Sequence, residues 1–430
     1  MVVAPLAKGR VAEARELLSR MNVESKPGTA DPNNALVPFA RFENLHFARF
    51  VVLEDPTSDD VAVYGIKRPA PPVYLAFLGD FDGGYDRIID QFARQAERGL
   101  RQIFSLCDGF NLNTDLVLWM KAHECRPAAF YCNMPGRTVR QCREEEGLRV
   151  ALTEHLRRKS GLADASAQEI LKELRAFVQA ELASGNITLT PAESTPPAWA
   201  ARQAFDVASV VILVAFGILS LPLWTVPALL LAWRLRQLET SDPEIAPRPA
   251  AQWVASLSGL EDHDVTNQFT AMGTIKPGPL RSCTLRTVLW ITGLAARLLY
   301  SQGRLARVHT IHFARWVYLD GGTRVVFASS YDGSHESYMD DFVNKVAFGL
   351  NATFSSGIGY PRTAWLLLKG AKSEQRFKYF QRRHQIPTDV WYNACAGLTN
   401  VDLDRNSRLR KGIEKANMSD VEVREWAQLL

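Results

Sequence analysis

The sequence predicts an α+β fold in which two similar units flank an apolar helical region that associates with a membrane. Three observations lead to this prediction: a stretch of eleven residues that occurs twice, a similar order of strands and helices after each copy, and a long segment without charge. The chain has 430 residues, too many for one ordinary domain, so two domains are expected.

The repeated stretch reads LHFARFVVLED from Leu45 and IHFARWVYLDG from Ile311, with six of the eleven positions identical. The identical pairs are His46/His312, Phe47/Phe313, Ala48/Ala314, Arg49/Arg315, Val51/Val317 and Leu53/Leu319. Both stretches read as strands, so alternation places Arg315 on the face opposite His312. An arginine on an interior face requires a partner. Both an acidic residue and an anionic ligand remain open as that partner.

The order of elements after each copy is also similar. The second copy continues with the turn signal DGGT, with RVVFASSYDG and with a helix predicted to begin at Ser334. The first continues through a loop containing RPAPP to VYLAFLGDFDG and the helix of GYDRIIDQFARQAERGL. Further on, KAHECRPAAFYCNMPGRTV matches RRHQIPTDVWYNACAGLTN with one inserted residue, which pairs His123 with His384 and Asn133 with Asn393. This order is typical of a ferredoxin-like sandwich, so two tandem ferredoxin-like repeats are predicted.

The predicted organisation of the chain follows from these matches. The repeats occupy residues 45–158 and 311–417, after an N-terminal helical or loop extension at 1–44. The region between the repeats is divided into a helical linker at 159–204, an apolar hairpin at 205–239, and a polar loop with an amphipathic helix at 240–310; residues 418–430 form a tail.

The apolar segment contains no charged residue from Val207 to Trp233, which is enough for a membrane segment, although a buried core helix is the alternative. Pro222 and Pro227 interrupt it and leave arms shorter than the roughly 20 residues that cross a bilayer. Basic residues lie on both flanks, at Arg202, Arg234 and Arg236. This pattern favours a membrane hairpin with two cytoplasmic ends over a single tilted span.

A second stretch, residues 281–307, alternates apolar residues with five arginines, Arg281, Arg286, Arg297, Arg304 and Arg307. A basic, apolar helix of this kind is typical of an anchor on anionic lipid, so the bilayer is an expected partner of this stretch as well. A helix packed on the barrel with its arginines in water explains the pattern equally well.

Both copies have an Asp-Gly pair where a strand gives way to a helix, GDFDG at Gly79–Gly83 and SSYDG at 329–333. Two repeats packed sheet to sheet resemble the dimeric α+β barrel group, and GDFDG fits the GxxDG signature of the dye-decolorising peroxidases in that group. The group also includes chlorite dismutases and antibiotic-biosynthesis-type monooxygenases. The resemblance covers roughly half of the chain and implies a pseudo-dimeric barrel and haem as a cofactor. A strand-to-helix turn explains the same pair without any chemistry.

The candidate site residues lie mainly in the second copy. His335 and Glu336 replace Tyr85 and Asp86 after the turn, and with Asp332 they predict an acid/base or haem-facing cluster in which His335 is the metal ligand. Capping of the helix by Ser334 is the alternative.

Further candidates come from the region between the copies and from the resemblance. The polar run LEDHDVTNQ predicts a functional loop with His263 and Asn267, against a solvated acidic loop. The axial ligand of a haem is sought among His335, His384 and His263, and the distal acid and arginine among Asp82, Asp332, Arg49 and Arg315. The predicted catalytic set is therefore His335, Asp332, Glu336, Arg315, His263 and Asn267, with His384, Arg49 and Asp82 as cofactor-binding residues.

Two functions follow from these predictions. The first is a membrane-associated oxidoreductase, peroxidase-like or oxygenase-like, that acts on an apolar or lipid-derived substrate. The alternative is a non-catalytic peripheral membrane protein whose duplicated barrel binds a lipid or a protein partner. The net charge of +4 argues against a nucleic-acid partner. Six cysteines without a CxxC pair favour a reducing compartment, and the N-terminus has no apolar run typical of a secretory signal.

Overall fold

The computed structural model describes residues 1–66, 71–159, 165–192, 194–300, 305 and 307–430, and the fold is mixed α+β. The predicted RPAPP loop and the stretch 281–307 lie partly outside the described residues, and Arg304 lies wholly outside them. The strands are β1 (Val2–Pro5), β2 (Leu45–Leu53), β3 (Tyr74–Phe81), β4 (Ala129–Cys132), β5 (Thr266–Thr274), β6 (Ile311–Leu319), β7 (Arg324–Asp332), β8 (Thr363–Ala364), β9 (Leu368–Lys369) and β10 (Val390–Asn393).

Helices account for most of the remaining described chain. They are α1 (Val11–Ser19), α2 (Tyr85–Gln95), α3 (Glu97–Phe104), α4 (Leu116–Ala122), α5 (Val139–Arg158), α6 (Ala167–Ser184), α7 (Pro197–Leu219), α8 (Leu221–Ser241), α9 (Ala251–Ser258), α10 (Pro279–Leu298), α11 (His335–Phe354), α12 (Glu374–His384), α13 (Asn400–Glu414) and α14 (Asp420–Ala427). Short 3₁₀ turns lie at 39–41, 58–64, 320–322 and 370–372.

Two four-stranded antiparallel sheets have corresponding strand orders. The first runs β1-β3-β2-β10 and the second β5-β7-β6-β4. The two repeated stretches, β2 and β6, therefore occupy the same place in their sheets. Each lies between the strand that follows it in sequence and a short strand from the other half of the chain. The short strands β4 and β10 are thus exchanged between the halves.

The strand register shows how the two halves correspond. Ala129 pairs with Trp316, and Val390 pairs with Phe50, the residue equivalent to Trp316. The same alignment makes Cys132, and not Asn133, the counterpart of Asn393. The inserted residue assumed from the sequence match is therefore not needed across β4 and β10, because a constant offset relates the two strands.

The outer strand of each sheet comes from outside the segments matched in sequence. The first sheet begins with β1, within the predicted extension, and the second with β5, within the predicted polar loop. β5 shows no apolar alternation because Thr266, Asn267, Gln268 and Thr270 are all buried. Partners compensate their burial; for example, the Thr388 hydroxyl donates to Gln268 Oε1 at 2.7 Å.

The two sheets face each other across an apolar layer that takes residues from both. Its members are Val3, Val51, Leu53, Ala76, Leu78, Met272, Val317, Leu319, Val326, Ala328 and Ile386. The outer face of each sheet carries a separate core against its own helices. A fourth core joins α5 and α6 to α13 and α14, so it also contains parts of both halves.

The apolar segment forms two helices, α7 and α8, which meet at Ser220 and extend beyond the predicted bounds of 205–239. The break lies before the prolines: Pro222 is in the first turn of α8, and Pro227 is inside that helix. α7 has no buried residue, and it is long and apolar enough to cross a membrane. We call residues 207–233 the apolar wedge.

Both ends of the wedge are fastened to one helix, α10. Near the start, Arg297 Nε donates to Asp206 Oδ2 at 2.7 Å. Beyond the end, Arg281 forms a buried ion pair with Asp242, which Lys276 also contacts at 2.9 Å. The chain therefore leaves the body and returns to it on the same side.

Candidate functional site

Two matching histidine–aspartate pairs lie at one end of the facing sheets. His46 Nε2 is 2.9 Å from Asp82 Oδ1, and His312 Nε2 is 2.6 Å from Asp332 Oδ1. Each histidine stands where the pairing between its strand and the next shifts register, a β-bulge, which lets its ring turn toward the end of the neighbouring strand.

The second oxygen of each aspartate receives a backbone N–H from the start of a helix. Val139, the first residue of α5, donates to Asp82 Oδ2 at 2.9 Å, and Asn400, the first residue of α13, donates to Asp332 Oδ2 at 2.8 Å. Each carboxylate thus joins an imidazole to a helix N-terminus, where negative charge is stabilised. The Asp-Gly pairs therefore have the same bonding role in both halves.

A small cavity of about 40 Å³ lies between the histidines of the two pairs. The aromatic rings of the two halves cross here, with Phe47 and Phe313 at 5.7 Å between centroids. Residues from both halves line the cavity, among them His46, Phe47, Cys132, Arg137, Cys142, His312, Phe313, Asn393 and Cys395. The exchanged strands β4 and β10 end at this cavity, which explains why it contains parts of both halves.

Three cysteines meet at the cavity, and two of them are in contact. The Cys142 thiol is hydrogen-bonded to the sulfur of Cys395. That bond, followed by burial, raises the pKa of Cys142. The same bond, together with the guanidinium groups of Arg143 and Arg137, lowers the pKa of Cys395. Burial raises the pKa of Cys132 to about 12, so the thiolate is favoured at Cys395.

The two arginines of the repeat reach across to the opposite sheet. Arg49 donates to the carbonyl of Ser329 at 2.9 Å and to Ser330 Oγ at 2.7 Å, besides two bonds to β5. Arg315 forms a buried ion pair with Asp80. Burial lowers the pKa of Arg49 to about 10 and that of Arg315 to about 9. Both guanidinium groups therefore have partners within the protein.

The predicted cluster at the start of α11 is close in sequence, but its side chains diverge. Asp332 bonds His312, as described above. His335 is 2% exposed, packs against Phe269 at 5.8 Å between ring centroids, and has no hydrogen bond at either ring nitrogen. Glu336 is exposed, and the nearby His335 ring, followed by Arg382 and Lys378, lowers the pKa of its carboxyl to about 2. The three groups do not converge on one position.

The second predicted group also separates. Asn267 is buried and closes the loop before β5 by donating to Asp262 Oδ1 at 2.7 Å and to the Gly333 carbonyl at 2.8 Å. His263 lies on that loop, with Nε2 3.1 Å from the Gly259 carbonyl. Asn267 has a bonding role in the fold, and the His263 ring lies against the backbone that leads into the same loop.

Two of the histidines predicted as axial ligands, His384 and His335, do not fit a haem. His384 is buried, with Nδ1 2.8 Å from the Phe380 carbonyl, and its Nε2 is unpaired. Its ring is enclosed at the edges, because a Cβ at Gly273 would lie 2.9 Å from Cδ2 and one at Gly359 3.3 Å from Cε1. The cavity that the ring borders is about 50 Å³, too small for a flat macrocycle. His335 is 2% exposed and packs against Phe269, and the described residues contain no group of three His, Cys, Asp or Glu side chains arranged for a metal.

Comparison with protein-family models, with curated proteins and with solved structures finds no match for this chain. The function is therefore argued from the geometry of its own residues, since a fold class alone does not imply an activity.

The thiol pair was not among the residues predicted from the sequence. Cys142 and Cys395 are far apart in sequence and are not equivalent in the repeat, so no spacing pattern indicates them. The histidine–aspartate pairs did have a signal, because both members recur in both copies. In each copy, the histidine of the repeated strand and the aspartate at the end of the following strand form the pair, so matching these two recurring residues would have predicted it.

Proposed function

We propose that the protein is a monotopic membrane protein that inserts the apolar wedge into one leaflet and keeps its two-sheet body at the surface. The observation that carries the proposal is the exposure of the wedge to solvent. Large apolar residues in it, such as Leu213, Phe216 and Trp224, are each at least 50% exposed. Monomeric soluble proteins rarely expose a contiguous apolar surface of this extent.

The dimensions of the wedge support insertion into a single leaflet. The helical segments that carry the wedge, from Asp206 to Leu219 and from Leu221 to Glu239, are about 20 Å and 27 Å long, and the residues that anchor them, Arg297 and Arg281, lie about 24 Å apart along α10. Arms of these lengths on that base form a triangle roughly 20 Å deep. A hydrocarbon core is about 30 Å thick, so the tip ends inside it.

Charge at the base of the wedge supports a cytoplasmic orientation. Arg202 precedes the wedge, and Arg234 and Arg236 follow it. Because both ends return to the same body, both flanks lie on one side of the bilayer, and the excess of arginine favours the cytoplasmic side. The expected partner is therefore the lipid bilayer itself.

For the body, we propose two tandem ferredoxin-like repeats packed as a pseudo-dimeric barrel. Three features support this: the corresponding strand orders, the β-bulges at the same histidine, and the exchange of β4 and β10. The proposal assigns no reaction to the barrel. Apolar side chains and the paired Arg49 and Arg315 fill the space between the sheets, which favours the non-catalytic alternative over a haem oxidoreductase.

Flotation of the purified full chain with phosphatidylcholine vesicles tests the proposal. The wild-type protein is expected to float with the vesicles, and the double variant Leu213→Glu/Trp224→Glu to stay in the dense fraction, because two carboxylates would have to enter hydrocarbon. The matched control Leu112→Glu/Val421→Glu changes two exposed apolar residues on the body and should float like wild type. Equal flotation of the wedge variant would overturn the proposal.

A further inference from the structure

The cavity between the two halves contains the thiol pair Cys142 and Cys395. Cys142 lies in the first turns of α5, and Cys395 lies in the turn after β10. Arg143 holds these two segments together, since its guanidinium donates to the Ala394 carbonyl at 3.2 Å and to the Tyr392 hydroxyl at 3.2 Å. Both side chains line the same cavity and interact with each other there, so the fold places the two thiols next to one another.

We propose that Cys142 and Cys395 form a redox-active dithiol, which a hydroperoxide oxidises to a disulfide that joins the two halves of the molecule. This dithiol lies in the cavity and not in the apolar wedge, so the proposal does not depend on membrane insertion. It also differs from a structural disulfide, because both thiols are free and only Cys142 is fully buried.

The surroundings assign different roles to the two sulfurs. Cys395 is half-buried at the open cavity, and its lowered pKa favours the thiolate, the nucleophilic form. Cys142 lies behind it as the buried resolving thiol, hydrogen-bonded to that thiolate. Arg137 and Arg143 supply positive charge beside the thiolate.

The reaction balances with hydrogen peroxide as the oxidant. The Cys395 thiolate attacks one peroxide oxygen, the O–O bond breaks, and the departing hydroxide takes a proton to become water, leaving a sulfenic acid on Cys395. The sulfur of Cys142 then attacks the Cys395 sulfur, and the S–S bond forms as the sulfenic oxygen leaves as water. In total, two thiols and one peroxide give one disulfide and two waters.

The disulfide would fasten the exchanged strands. α5 follows β4, which is paired in the second sheet, and Cys395 follows β10, which is paired in the first. A bond between them closes a long loop of chain and limits the freedom of the unfolded state. Oxidation is therefore expected to raise the midpoint of thermal unfolding, and reduction to reverse the rise.

Peptide mapping of the intact protein tests the proposal. The full chain is treated with a small excess of hydrogen peroxide, denatured and alkylated with N-ethylmaleimide, and its mass is measured. Of the six cysteines, two should escape alkylation, leaving four, and the digest should contain a peptide that joins Cys142 to Cys395. Dithiothreitol should restore six alkylated thiols.

Variants separate this pair from the other cysteines. Cys142→Ser and Cys395→Ser should each abolish the linked peptide, and Cys395→Ser should also remove the sulfenic acid detected with dimedone. The control Cys283→Ser removes an exposed cysteine away from the cavity and should leave the linked peptide unchanged. Six alkylated thiols after peroxide, or a wild-type link that involves Cys132 instead, would overturn the proposal, and the wild-type map does not depend on how the variants fold.

Discussion

At the scale of single residues, the two arginines of the repeat show how equivalent positions acquire different partners. Arg49 and Arg315 each reach the corresponding site of the opposite sheet, where Arg49 meets Ser330 and Arg315 meets Asp80. The protein thus buries two guanidinium groups with one carboxylate between them. This arrangement is tolerable because Arg49 also bonds two backbone carbonyls, which replace lost hydration.

Arg315→Met should destabilise the fold, because it leaves Asp80 buried without its ion-pair partner. Breaking a buried pair in this way costs about 3–5 kcal/mol in the free energy of unfolding, measured by urea denaturation. The double variant Arg315→Met/Asp80→Leu should recover most of the loss. Arg20→Met, which removes an exposed pair with Glu16, is the control and should leave the midpoint unchanged. A single variant as stable as wild type would contradict the pairing.

His384 should make stability depend on pH. Burial lowers its pKa below the ordinary value near 6.5, despite the carboxylates of Asp55 and Asp60 nearby. Below about pH 6.5, His384 therefore binds a proton in the unfolded chain but remains neutral in the folded protein. The free energy of unfolding consequently falls as the pH falls.

Urea denaturation of the wild type and of His384→Gln at pH 7.5 and 5.5 measures this contribution. The loss of stability between the two pH values should be smaller in His384→Gln than in wild type. His263→Gln, which changes a loop histidine, should keep the wild-type loss. An equal loss in His384→Gln and wild type would show that His384 titrates normally in the folded protein.

At the scale of elements, the wedge shows how a helix accommodates prolines that were expected to break it. Pro222 stands in the first turn of α8, where a backbone N–H has no acceptor within the helix, so its missing donor costs nothing. Pro227 lies inside the same helix, which continues through it although the Leu223 carbonyl loses its usual N–H donor. The turn of the wedge therefore lies at Ser220, ahead of both prolines.

Both ends of the wedge should face the same side of a membrane, because Asp206 and Asp242 are bound to one helix. Single cysteines introduced by Trp199→Cys and Arg248→Cys, in a background with all six native cysteines replaced by alanine, should react equally with a membrane-impermeant maleimide. Labelling after permeabilisation gives the total and serves as the control. Protection of one position and reaction of the other would contradict the wedge and also the packing of the two sheets.

At the scale of the whole molecule, the exchange of β4 and β10 makes each half incomplete without the other. On one edge, each of the central strands β2 and β6 is hydrogen-bonded to a strand from the other half, β10 or β4. The core of α5, α6, α13 and α14 adds a second region to which both halves contribute. The molecule is therefore expected to fold as one cooperative unit.

Splitting the chain between Ala246 and Pro247 should test this dependence. Fragment 1–246 lacks β10 and fragment 247–430 lacks β4, so each expressed alone should leave an apolar sheet edge unpaired and aggregate. Co-expression should yield a soluble 1:1 complex in detergent, measured by size-exclusion chromatography with light scattering. A stable folded monomer of either fragment would contradict the exchange as an obligatory feature.

The local patterns of the sequence were sufficient for several features. The repeat places β2 and β6 in equivalent positions, the Asp-Gly pairs mark the ends of β3 and β7, and the uncharged segment corresponds to the exposed apolar helices. These features depend on turn chemistry and on apolar periodicity, which lie within a few consecutive residues. The polar strand β5 has no such pattern, because its buried side chains are bonded to distant partners such as Thr388.

The sequence alone determined that this chain has a mixed α+β fold, a strand that occurs twice and an uncharged apolar segment, since each of these depends on residues close together in the chain. Only the tertiary structure decided which strands are exchanged, where the predicted histidines point, and that Cys142 meets Cys395. The contacts of the exchanged strands and of the two cysteines join residues more than 180 positions apart. They arise when whole sheets and helices pack, and that packing depends on the shape and charge of surfaces that no short stretch of sequence contains.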